Sequence, residues 1–189
     1  MAENPAGYIN PRVRRTKSHV LAIARDILVS SGLASLTYTL LGERSRVTRQ
    51  TLYRHWPTRE ALLADVILTG PDVVFPTPGP DARTVMIEFL TSVRAGLSEP
   101  ATASALLSVA AHAATDQGSA AALTAITEDR RRALNVLLRM TSVTVGVENY
   151  AQIVGPVITQ LLIARGHVSD TLIQNTVDSW LLSQTRPVI

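Results

Sequence analysis

Along most of the chain apolar residues recur three and four positions apart, the period of an amphipathic helix. Val20, Ile23, Ala24, Ile27 and Leu28 form the first such stripe and predict a helix over 16–31, ended by Gly32. Thr37 and Thr48 then stand where N-caps belong, ahead of two short helices over 38–45 and 49–55. The residues between, 45–47, make the turn, with Val47 aimed into the small core beneath it. Leu52 and Trp56 fall four apart and share one apolar face. Pro57 stops that helix, and Thr58 caps a fourth over 59–69 carrying Leu62, Leu63, Val66 and Ile67.

Residues 70–80 hold four prolines and two glycines, which no helix or central strand survives, so a domain boundary belongs there. Helical periodicity resumes at once. Five more helices are expected over 81–97, 100–114, 118–140, 148–165 and 169–184, the fourth kinked at Gly155-Pro156. The run 141–147 has strand chemistry but no partner strand, and reads as an extended connector. The expected fold is all-α with about nine helices. It comprises a flexible basic arm over 1–15, a helix-turn-helix domain over 16–70, and a C-terminal helical domain over 81–189.

Net charge, +3 overall, becomes informative once it is divided at the boundary. Residues 1–70 carry ten Lys/Arg against five Asp/Glu, whereas the remainder carries eight against ten. A surface for a polyanion therefore belongs to the first third. Its chemistry concentrates in T-R-Q-T-L-Y-R-H-W-P-T-R-E, residues 48–60. Arg49, Gln50 and Thr51 lead the short helix; arginine can address guanine, glutamine adenine, and threonine the thymine methyl. Arg14, at the end of the arm, and Arg54 add charge for phosphate contact.

The same stretch carries a resemblance. With L-T near Ser35, V-T before the reading helix and the core T-L-Y-x-H-W-x-T-R-E, residues 16–68 resemble the DNA-binding domain of the TetR (tetracycline-repressor-like) family of bacterial regulators. That resemblance implies phosphate contacts from Thr37, Thr48, Tyr53, His55 and Arg59, with Arg46 beside them in the turn. Two positions depart from the family pattern: Arg46 replaces the usual turn glycine, and Gly42 the usual alanine. The resemblance also implies a double-stranded operator, a homodimer, a small-molecule effector and, most often, repression. An alternative is a constitutive or protein-partnered DNA-binding protein without an effector.

Small aliphatic residues dominate 101–138, and helices that carry them can enclose a cavity or simply pack. Met86, Phe89, Leu106, Val109, Ala110 and Ile126 are the expected lining for a compact, apolar ligand. His112 is either its one polar group or a boundary histidine. Ile153, Val157, Leu161, Ile173, Val177 and Trp180 form apolar faces on the last two helices and are assigned to the dimer interface. Arg130, Arg131 and Arg132 are expected to face solvent, and His19 to be ordinary surface.

No cofactor or metal is expected, because the four histidines lack partners at ligand spacing and cysteine is absent. No nucleophile has an adjacent base, so an enzyme is not expected. Without an N-terminal secretion pattern or a membrane-length apolar run, the expected location is the cytoplasm.

Overall fold

The structure, a computed structural model, describes residues 11–69 and 76–184. Every regular element among them is helical: α1 (Pro11–Ser31), α2 (Tyr38–Ser45), α3 (Arg49–His55), α4 (Arg59–Leu68), α5 (Ala82–Ser98), α6 (Pro100–His112), α7 (Gln117–Leu137), α8 (Val147–Ile158) and α9 (Asp170–Gln184). Short 3-10 turns follow α1 and α7. None of these helices is long and apolar enough to cross a membrane.

Short polar side chains start the helices. Thr37, Thr48 and Thr58 each accept the amide three residues on, from Leu40, Thr51 and Ala61. Asp81, Glu99 and Asp116 do the same for α5, α6 and α7. Each such cap is worth about 1 kcal/mol.

The arm is shorter than expected, because α1 begins at Pro11 and takes up residues 11–15. Proline at a first helical position has no amide to lose, so it opens a helix here instead of ending a loop. Arg14 therefore projects from a helix; the rest of the expected arm, 1–10, lies outside the described residues. Gly32 ends α1 at φ 74.

The expected last-but-one helix is also shorter. Pro156 has no amide to give, and beyond Ile158 the chain widens into a π-turn in which the Ala164 N–H reaches back to the Thr159 carbonyl at 2.8 Å. The connector before α8 is held by Asn135. Its side-chain oxygen accepts the Val145 amide at 2.9 Å, and its amide nitrogen donates to the Val145 carbonyl at 3.0 Å.

Two apolar cores form, and they do not divide at the linker. One joins α1–α4 to Ala101, Ala105 and Val109 of α6 and Ile126 of α7. The other joins α5, the end of α7, α8 and α9. This corrects the assignment of the dimer interface. Ile153, Val157, Ile173, Val177 and Trp180 are buried inside their own protomer, and Leu161 packs against the same cluster. The apolar face of α8 and α9 was read correctly, but α5 and α7 supply its cover, through Phe89, Leu90 and Leu134 among others.

Candidate nucleic-acid interface and internal cavity

Leu41, Leu52 and Trp56, all at most 1% exposed, root α2 and α3 in the N-terminal core. The Trp56 indole N–H donates to Asp65 of α4 at 2.8 Å. Lys17 of α1 reaches the same carboxylate at 3.1 Å and lies over the indole ring. Tyr38 donates its hydroxyl to the Trp56 carbonyl at 2.7 Å and stacks on Tyr53 at 4.4 Å. Burial, then Tyr53 and Glu60, push the Tyr38 phenol up to about 12, so it stays a donor at neutral pH. The missed member of this frame is His19, whose ring nitrogen meets the Ser45 carbonyl at 3.2 Å. Its sole sequence signal was its place one residue before the first apolar stripe.

On that frame α3 presents Arg49 and Gln50 to solvent, with Thr51 half-buried and its hydroxyl 3.0 Å from that of Thr48. Tyr53 and Arg54 are exposed and His55 half-buried, while Thr37 and Thr48 remain exposed although their oxygens cap helices. Burial, then Arg54 and Lys17, depress the His55 pKa. Arg14, Arg15, Arg46, Arg49 and Arg54 are exposed and form no ion pair among the described residues. That leaves three uncompensated cations on α3 and the turn before it and two at the start of α1, a charge suited to phosphates.

Arg59 is a correction. Its half-buried guanidinium donates to the Leu33 carbonyl in the 3-10 turn after α1, beside a cleft shared with Ser108, Val109 and His112 of α6. The guanidinium expected at a phosphate is instead engaged by a backbone carbonyl of its own protomer.

The turn explains both departures from the family pattern. Arg46 lies at φ 57, ψ 31, the left-handed region that costs a residue with a Cβ about 1–2 kcal/mol. A Cβ on Gly42 would sit 3.0 Å from the Val47 carbonyl oxygen just beyond that turn. Gly42→Ala alone is therefore expected to lower the melting temperature, despite alanine's helix advantage of about 1 kcal/mol. Arg46→Gly alone should raise stability by about 1 kcal/mol. Together they should do better than the sum of the two, because a glycine at 46 lets the Val47 carbonyl move. Additive melting shifts would contradict the coupling.

A cavity of about 130 Å³ lies where the two cores meet, lined by Ile67 of α4, Phe89 and Val93 of α5, Leu106 of α6, Ile126 and Arg130 of α7, and Tyr150 and Val154 of α8. Of the expected lining, Phe89, Leu106 and Ile126 are present. Met86 is fully buried in the second core instead, and Ala110 is exposed on the far side of α6. Val109 and His112 line a separate polar cleft against Arg59, and His112 bonds its own helix at the Ser108 carbonyl. On α6 it is Thr102 and Leu106 that face the cavity, while Val109 joins the N-terminal core and Ala110 faces solvent. Arg130 is a further correction: it is half-buried and donates to the Ile67 and Leu68 carbonyls at 3.1 and 2.9 Å. Arg131 is likewise occupied, by Glu128 and the Val145 carbonyl, and of the three only Arg132 is exposed.

Residues 20–66 match the sequence profile of the bacterial regulatory proteins of the tetR family. A crystal structure of the TetR family transcription regulator SCO0332 superposes with a TM-score of 0.71 at 26% identity, over 92% of this chain and 100% of that one. Residues 20–66 are thus a TetR-type DNA-binding domain, in a chain whose fold is similar to that of TetR-family regulators.

Two further likenesses agree. The uncharacterized HTH-type transcriptional regulator YdeS of Bacillus subtilis (strain 168) is 29% identical over 68 residues, 36% of this chain but 34% of that protein's length. A TetR transcriptional regulator from Agrobacterium tumefaciens shares the fold, with a TM-score of 0.58 at 17% identity over 89% and 94% of the two chains. The profile covers the second half of α1 through most of α4, so α5–α8, which supply most of the cavity lining, lie beyond it. No cluster of potential metal ligands occurs among the described residues.

Proposed function

We propose that this transcription regulator binds a two-fold symmetric operator as a homodimer and releases it when a small, largely apolar molecule enters the cavity. The observation that carries the DNA half is the set of exposed arginines without an ion pair among the described residues, Arg46, Arg49 and Arg54 along α3 and its turn and Arg14 and Arg15 at the start of α1. Arg49 and Gln50 read bases, with Thr51 against a thymine methyl. Thr37, Thr48, Tyr53 and His55 take phosphates, helped by Arg14, Arg46 and Arg54. Gln50→Ala should change preference at one base pair by about 1–3 kcal/mol, whereas Arg54→Ala should weaken all sequences alike and flatten the salt dependence. Gel shifts on the DNA upstream of its own gene, over a salt series, measure both. Equal loss of discrimination from the two changes would sink the assignment.

His55 adds a pH dependence. Its pKa is depressed in the free protein, and a phosphate beside it would raise that pKa, so binding takes up a proton. Affinity should therefore rise as pH falls from neutrality toward the free-state pKa, and His55→Gln should remove that rise. An unchanged pH profile in the variant would take His55 off the phosphate.

Dimerisation rests on the outward face of α8 and the π-turn. Gln152, Pro156, Thr159 and Ile163 are exposed there, and Ile163, at 68%, is among the most exposed apolar side chains described. A Cβ on Gly155 would meet nothing within 4 Å in the protomer, which leaves room for close helix approach. The effector half is tested by ligand affinity with and without operator. Equal affinities would mean that a bound molecule is not the inducer, and would favour a constitutive regulator.

A further inference from the structure

Arg130 is the only charged side chain among the described residues lining the cavity. Its Nη2 holds the Ile67 and Leu68 carbonyls at the C-terminus of α4. Arg25 of α1 holds the adjoining Val66 and Thr69 carbonyls at 2.9 and 2.6 Å. Four terminal carbonyls of α4 are thus capped by two arginines, one from α1 and one from α7, and of the two only Arg130 also lines the cavity. Beside it stands the buried Tyr150, whose phenol burial pushes up to about 12, so it is a neutral donor near pH 7. Its hydroxyl makes no hydrogen bond among the described residues. The other hydroxyls in the lining are engaged: Ser92 with the Phe89 carbonyl, Thr102 with Glu99, and Thr127 with the Leu123 carbonyl.

We infer that the cavity selects a compact monocarboxylic acid, its apolar body among Phe89, Leu106, Leu123 and Ile126 and its carboxylate on Arg130 and Tyr150. This rests on reading the cavity as the effector site. A cation would meet the guanidinium and be repelled. A neutral hydrocarbon would leave Tyr150 unanswered and Arg130 on α4. A carboxylate forms charge-assisted, bidentate bonds roughly twice as strong as those to neutral carbonyls, so it competes for the guanidinium that α4 now uses. The size is right for a small acid, since an apolar cavity of ~150 Å³ accommodates benzene. Transfer of Arg130 to the ligand leaves Arg25 alone to cap α4. Through Asp65 and Trp56, α4 sets the position of α3, so the acid loosens the support of the reading helix.

Calorimetry on the full chain with octanoate, benzoate and their primary amides tests this. Each acid should bind at least about tenfold more tightly than its amide. The ratio should persist in Arg130→Lys, collapse to about one in Arg130→Gln, and shrink in Tyr150→Phe. Hydrogen exchange at the amides of residues 65–69 should accelerate with octanoate, which packing in the cavity alone would not produce. If acid and amide bind equally, or the amide alone binds, the acid inference fails while the cavity stands as an effector site. If none of the four binds at millimolar concentration, both readings fall. Acid binding without faster exchange in α4 overturns the transfer of Arg130.

Discussion

Replacing Trp56 with alanine is expected to destabilise the N-terminal helices by about 3–5 kcal/mol and to abolish DNA binding. The indole is 1% exposed in the core shared by α1, α3 and α4, so its loss leaves a cavity that short helices cannot close. It also leaves the Asp65 carboxylate with Lys17 alone, and removes the ring over which that lysine lies. Set against a typical domain stability of about 5–15 kcal/mol, a loss of that size is enough to melt α2 and α3 at growth temperature. Trp56→Phe keeps most of the volume and gives up chiefly the indole hydrogen bond, about 1 kcal/mol. Thermal unfolding followed by circular dichroism, paired with a gel shift, separates the two. An alanine variant that melts with the parent would mean that the core around α3 tolerates the void.

Ile163→Asp is expected to give a folded monomer whose operator affinity falls by two orders of magnitude or more. A carboxylate at the centre of a closed apolar contact would be desolvated without a partner. On the proposed two-fold binding, one α3 alone would read half a site and lose the contacts of its partner. Trp180→Ala makes the contrast: it should lower the melting temperature of the protomer itself, since Trp180 is 5% exposed within the second core. Sedimentation settles the matter. A dimeric Ile163→Asp variant would move the interface elsewhere.

The N-terminal unit was legible in the sequence because its determinants are local. Thr37, Thr48 and Thr58 announce three helix starts, and Leu52 and Trp56 declare the buried side of α3 within one turn of each other. The cost of Arg46 in the turn could be stated beforehand, and φ 57 bears it out. What Gly42 accommodates could not, since the Val47 carbonyl approaches it only after the turn has formed. Farther along the chain, periodicity showed that α8 and α9 each have an apolar face, but not what covers it. A stripe destined for a partner and one destined for α5 read alike. Charge misled for a related reason. Arg59 and Arg130 look like solvated side chains until backbone carbonyls, Leu33 in the 3-10 turn after α1 in one case and Ile67 and Leu68 at the end of α4 in the other, come within reach.

The meeting of the two cores bears on how such proteins can be recombined. Because α6 lends Ala101, Ala105 and Val109 to the core of α1–α4, the proline-rich linker marks where the chain crosses over and not where the molecule comes apart. A chimera cut at the linker would set α4 of one parent on α6 of another, and would forfeit the Arg130 caps unless both parents supply them. On the proposed function, exchanging only the solvent face of α3 and its exposed arginines would carry over base preference while keeping the contacts of α4 with α6 and α7. Retargeting, on that reading, is then a matter of repainting a surface, with the packing beneath it left as it was inherited.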